Sequence, residues 1–226
     1  FCTEILSEIR IQALLHGNWQ RQDAKKFISM LTLRTEASTK NNEFSKPNCF
    51  LTQQCQQYVT LEHADHALVV YFQAATDDPT EKVSLMCLNH VVSQDYFQYM
   101  RTEKQLGYLV GTGYAPLNSR AGMAMYVQSP HTCAEDLLTF HNTFTQTYAD
   151  KIAQLSDLDW HQIKMGLLTQ IQEEDKNLRV RSQRYWLSLN NNDHTFDMQT
   201  RLVECLTTLT KQQLADYCRH VFDKNS

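Results

Sequence analysis

Apolar and polar positions along the chain change period several times, and those changes mark its elements. Residues 1–9 carry helical spacing and run into "IRIQALLHGN", whose apolar stretch stops at Gly17-Asn18 and predicts a strand ending there. Trp19, Ala24, Phe27, Ile28 and Leu31 recur near one face of a helix predicted over 19–36. The polar, turn-rich stretch "EASTKNNEFSKPN" then reads as a linker. Beyond it the period drops to two. "QCQQYVTL" and "HALVVYFQ" are both predicted strands, and in the second His66, Leu68, Val70 and Phe72 alternate with Ala67, Val69, Tyr71 and Gln73.

A long helix follows. Asp78 suits its N-cap, Pro79 its first turn, and Glu81 the place of a reciprocal cap; the pattern runs to about Met100 or Arg101. Two strands come next, Leu106–Tyr114 and Gly122–Ser129, joined through "APLNSR". The remainder is helical. Thr132 with Glu135 spells a capping box before a stripe of Leu137, Phe144, Tyr148, Ile152 and Leu155. Ser156 opens another helix, and further helices are predicted over about 177–190 and 197–207. The last begins at Thr210, with Gln213 as box partner and Leu209/Leu214 as a hydrophobic staple. Paired strands with helices bunched after them predict an α+β fold, an antiparallel sheet with helices packed on one face.

Composition narrows the function classes. The 226 residues are 42% hydrophobic and 20% charged, with a net charge of −4, so neither a nucleic-acid nor a membrane partner is expected. Seven cysteines form no C-x-x-C pair and read as reduced thiols in a reducing, cytoplasmic compartment, with a periplasmic one as the alternative. The chain starts at Phe1 inside a patterned segment, which reads as a fragment of a longer polypeptide.

Few short motifs carry chemistry. "LEHADH" places His63 and His66 three apart where a strand begins, which sends them to opposite faces, so solvated loop histidines are the stronger reading over a metal site. No H-E-x-x-H, H-x-x-E-H, G-x-S-x-G or P-loop occurs. His90, His141, His161 and His220 sit singly on helices and read as surface or boundary residues.

The segment "RTEKQLGY" supports two readings. Arg101 near a helix C-terminus complements the dipole, Gly107 punctuates, and Tyr108 suits a strand. Alternatively, five guanidinium donors and a neutral hydroxyl face a peptide carbonyl or an oxyanion together. "RTEKQLGY", with "ALLHGN" upstream, "YFQ" before the long helix, and "QSP", "RYW" and "LTKQQLADY" after it, resembles the C-terminal half of the pitrilysin/insulysin (insulinase-like) family of zinc metallopeptidases, the inverzincins.

That resemblance implies a metallopeptidase-half fold and a parent enzyme, a zinc metalloendopeptidase, whose two homologous halves enclose a chamber. Zn2+ is held by the N-terminal half, which lies outside this chain, so the fragment itself is expected to bind no metal and to be inactive. Arg101 and Tyr108 are the implied catalytic and substrate-holding residues, with Gln105 and Gly107 beside them in the same motif. Residues 1–45 would be the tail of the third domain and 46–226 the fourth, cut short at its C-terminus. The implied partners are the N-terminal half of the same chain and peptide substrates, with a homo-oligomer through an exposed sheet edge as a further arrangement. The alternative is a non-catalytic structural or peptide-binding subunit of the same fold.

Overall fold

The computed structural model describes residues 12–32, 54–60, 62–117, 120–191 and 193–223. The expectations for residues 1–9 and for the linker fall outside them. Two compact units emerge.

The smaller comprises the described parts of Phe1–Asn48 together with Glu174–Phe196. It contains α1 (Arg21–Thr32), inside the helix expected over 19–36. It also contains a helix at Leu178–Asn190, capped by Asn177, whose side chain accepts from the Val180 N–H. Asp175 secures that helix by accepting from Arg181 Nε at 3.2 Å and Arg184 Nη2 at 2.5 Å. Both arginines hold the Asp175 carboxyl below the usual carboxylate range against the opposing effect of burial. His16 packs edge-on against Tyr185, with ring centres 5.0 Å apart. The described part of "IRIQALLHGN" forms no strand.

The larger unit comprises Cys49–Glu173 and Asp197–Ser226. Its sheet is antiparallel in the order β1-β3-β2, formed by β1 (His66–Gln73), β2 (Leu109–Tyr114) and β3 (Gly122–Ser129). β1 and β3 occupy the expected positions. β2 starts three residues late, because Leu106 is buried under the preceding helix rather than paired. The other expected strand, "QCQQYVTL", is overturned: Gln54–Thr60 joins no ladder, and Tyr58 and Val59 lie exposed. Alternation alone does not make a strand when no described neighbour supplies a hydrogen-bonding edge.

Period two sorts β3 between the faces. Met123, Met125 and Val127 are buried against the helices, while Ala124, Tyr126 and Gln128 lie half-buried on the open face beside Val69, which is 68% exposed. The helical layer starts with α2 (Pro79–Phe97), capped by Asp78, whose carboxylate accepts from the Thr80 N–H at 2.7 Å. Glu81 reaches past the cap to Thr76, not back to Asp78. Val83, Leu85, Leu88, Val92 and Tyr96 are fully buried, and each such side chain is worth about 1.5–3 kcal/mol by removal from water.

The long helix expected after Thr132 divides at Thr147 into α3 (Ala134–Gln146) and α4 (Tyr148–Ala153). Its capping box does not form. The Thr132 N–H is taken by the Ser129 hydroxyl, which shifts the N-cap to Cys133. α5 (Asp157–Ile171) is capped by Ser156 as expected. The helix of the smaller unit is α6, and α7 (Met198–Thr208) and α8 (Lys211–Asp223) complete the set. At Thr210 the box is reciprocal: Thr210 N–H donates to Gln213 Oε1 at 2.9 Å, and Gln213 N–H donates to Thr210 Oγ1 at 3.2 Å.

His141 is a correction. Expected at a boundary, it is 2% exposed, lies over Phe72 and points Nδ1 at the Tyr96 hydroxyl 3.5 Å away. Burial lowers its pKa to about 4, so it stays neutral in the core.

Candidate functional site

The segment that ends α2 is irregular in two linked ways. Gln98–Glu103 winds as a π-helical turn, and the Lys104 N–H bonds the Tyr99 carbonyl at 2.9 Å. Gln105 then takes a left-handed φ of 54°, which lets the Leu106 N–H close on the Met100 carbonyl at 3.0 Å. A non-glycine residue in that region costs about 1–2 kcal/mol. Leu106, buried to 3% exposure, anchors the turn in the core and offsets that cost.

Gly107 follows because the strand entry presses on β3. A Cβ added there would sit 1.8 Å from the Gln128 carbonyl oxygen and 2.8 Å from its carbon. Neither atom can yield, since both belong to the backbone. The motif's glycine is therefore required by close approach rather than by backbone angle.

These constraints bring Arg101 and Tyr108 together. Arg101 Nη1 donates to the Tyr108 carbonyl at 2.5 Å, and the guanidinium carbon lies 5.3 Å from the centre of the Phe97 ring. The aromatic ring and the carbonyl thus fix the arginine's plane. The Tyr108 side chain is 59% exposed. Its phenolic oxygen accepts from Gln128 Nε2 at 3.2 Å, and the same amide donates to Asp65 Oδ2 at 2.8 Å. A phenol that accepts from Gln128 keeps its own proton to donate elsewhere. A guanidinium with one N–H committed to Tyr108 retains four more. Gln105 is exposed on the same turn.

Nearby, Lys104 Nζ lies 5.2 Å from the Tyr99 ring centre. Side chains that can serve a bound carbonyl or oxyanion are hence displayed on one pre-set turn. Three participants escaped sequence reading. Phe97 was one more apolar residue of the helix, and Gln128 one polar position in an alternating strand. Asp65 drew notice only within the histidine patch. No spacing rule links residues 65, 97 and 128; the fold does.

Among the described residues no group of three or more His, Cys, Asp or Glu side chains converges closely enough to hold an ion, and His63 is engaged locally, its Nδ1 accepting from the Asp65 N–H at 3.0 Å. The described cysteines, Cys55, Cys87, Cys133, Cys205 and Cys218, are free thiols, and burial pushes Cys87 and Cys218 up to about 12. Among the described residues no helix is long and apolar enough to cross a membrane.

A layer of helices on one face of a small antiparallel sheet, with the motif turn between helix and strand, makes a mixed α+β fold of the expected class. Comparisons with known proteins agree. Residues 87–186 match the family "PQQ synthase PqqF-like, C-terminal lobe domain 4". The insulin-degrading enzyme of Homo sapiens is 25% identical over 237 residues, covering 98% of this chain and 22% of that protein. The "Putative zinc protease mug138" of Schizosaccharomyces pombe is 22% identical over 225 residues, covering 96% of this chain and 23% of that protein. The crystal structure of pitrilysin superposes with a TM-score of 0.64 at 23% identity, over 70% of this chain and 17% of that one. The chain thus resembles part of the C-terminal half of pitrilysin/insulysin-type (insulinase-like) proteins. It spans about a fifth of the length of the curated relatives it matches.

Proposed function

We propose that this chain is the substrate-chamber half of a zinc metalloendopeptidase and that Arg101 and Tyr108 hold the peptide at the reacting carbonyl. The observation that carries this reading is the clamp itself: a guanidinium bonded to the backbone of a tyrosine that is largely exposed. Arg101 sets where Tyr108 stands. Gln128 pins the phenol oxygen, so the hydroxyl proton is aimed before substrate arrives. A donor fixed in advance stabilises charge growing on a carbonyl oxygen without paying reorganisation at the moment of reaction. Gln105 and Gly107 lie along the same edge, where the exposed backbone of the turn can meet the peptide.

The zinc ion belongs, on this reading, to the N-terminal half, where it would supply Lewis-acid chemistry; no residue described here is assigned to it. The fragment alone is therefore inactive. Residues 1–45 belong to the preceding domain and 46–226 to the final one. The free thiols favour a reducing, cytoplasmic setting.

The test uses the full-length protein with Arg101→Ala. Loosening the clamp lowers kcat/KM for a peptide by about 10²-fold or more, the scale of losing one fixed donor. An unchanged kcat/KM rejects the role of Arg101. Absence of any chelator-sensitive peptide hydrolysis by the wild-type parent replaces the enzymatic reading with that of a non-catalytic peptide-binding subunit.

A further inference from the structure

Tyr108 can meet a bound group in two ways, and the difference is the direction of one proton. A phenol has a single proton to donate and can also accept. If that proton is taken inside the protein, the oxygen can only accept, and a carbonyl or an oxyanion finds no donor there. The side chain that decides is Gln128. An amide turned one way presents N–H groups, and turned the other way it presents a carbonyl oxygen.

The main chain leaves Gln128 little freedom. It lies on the central strand, opposite Ala67 of β1 and Leu109 of β2, and its carbonyl packs closely against Gly107. What remains is the turn of the amide itself. Nε2 donates to the Tyr108 hydroxyl at 3.2 Å and to Asp65 Oδ2 at 2.8 Å, which uses both of its protons. The reverse orientation would set the amide oxygen against the Asp65 carboxylate, two acceptors with no proton between them. Asp65 is well placed to enforce the choice. It stands just ahead of β1 with its side chain 15% exposed, and His63 Nδ1 holds its N–H at 3.0 Å. The His63 ring lies 4.0 Å from the other carboxylate oxygen, Oδ1, which leaves Oδ2 to Gln128.

We infer that Asp65 is a positioning residue of this site: acting through Gln128, it holds Tyr108 as a hydrogen-bond donor, so that the site takes groups that accept, a peptide carbonyl or the oxyanion formed from it. The inference rests on the reading of Tyr108 given above and adds to it the residue that sets the direction of its proton. Asp65 itself touches neither the tyrosine nor the bound group; its carboxylate acts by allowing only one orientation of the amide between them.

The test reverses the chain of hydrogen bonds while keeping its shape and its charge. In the full-length protein, Asp65→Asn combined with Gln128→Glu exchanges the carboxylate and the amide. The carboxylate now at position 128 accepts from the amide at position 65 and takes the phenol proton as well. Steady-state kinetics on a peptide then show kcat lowered by about 10²-fold, toward the Tyr108→Phe value, with KM and melting temperature little changed. Asp65→Asn alone can still turn its Oδ1 to Gln128, and its loss is smaller than that of the exchanged pair by about fivefold or more. In a Tyr108→Phe background the exchange lowers kcat no further, because no proton is left to misdirect. A pair that only props up the strand entries would lower it equally in both backgrounds. A wild-type kcat in the exchanged pair, beside an impaired Tyr108→Phe enzyme, overturns this inference and leaves the role of Tyr108 standing. So does an Asp65→Asn variant as damaged as the exchanged pair, or a loss of activity matched by a loss of folded protein. A wild-type kcat in Tyr108→Phe itself removes the role of Tyr108 and this inference with it.

Discussion

Acid should weaken this fold through one buried ring. His141 is neutral in the core because its protonated form would sit desolvated between Phe72 and Tyr96, with its pKa lowered to about 4. In the unfolded chain the imidazole returns to about 6.5. Between those values the unfolded state binds more protons than the folded one, so stability rises with pH across the window and is lost as pH falls through it. The gap, at about 1.4 kcal/mol per pH unit, is worth on the order of 3 kcal/mol. For a chain of this size that corresponds to roughly 6–12 °C in melting temperature. His141→Gln removes the titration and keeps a polar side chain. Melting curves of wild type and variant from pH 7 to pH 4 should converge or cross as the wild type alone loses this contribution. Parallel curves would refute the reasoning, as would an NMR titration placing the His141 midpoint near 6.5.

Two further perturbations probe the motif turn. Gly107→Ala drives a Cβ into the Gln128 carbonyl, and pushing the strands apart costs about 1–3 kcal/mol or more, read as a drop in urea midpoint; an unchanged midpoint contradicts the close approach. Gln105→Gly relieves the left-handed backbone and raises stability by about 1 kcal/mol, whereas Gln105→Val lowers it; equal stabilities would show that φ there is not the strained coordinate.

Much of this architecture is legible in the sequence wherever local chemistry and tertiary demand coincide. β1 and β3, the Asp78 and Ser156 helix starts and the Thr210–Gln213 box all follow from spacing and cap chemistry. The misses share a cause: something distant competed. Ser129 claimed the Thr132 N–H that a local box would have used, and no described neighbour gave Gln54–Thr60 a ladder. His141 lies on the stripe of Leu137, Phe144 and Tyr148, so its position announced burial while its residue type argued for the surface. At the motif, Arg101 and Tyr108 are readable as a pair. Phe97, four residues before Arg101 on the same helical run, is a local neighbour; the support from Gln128 and Asp65 is not readable, because pairing across β3 and the entry to β1 assemble it.

The central claim is that the Tyr108 hydroxyl, aimed by Gln128 and steadied by Arg101, serves the reacting carbonyl of a peptide. Replacing Tyr108 with Phe in the full-length protein removes only that oxygen. Steady-state kinetics on a peptide should show kcat reduced by about 10²-fold, with KM and melting temperature little changed. A wild-type kcat in the Tyr108→Phe enzyme, or a loss of activity matched by a loss of folded protein, would contradict it.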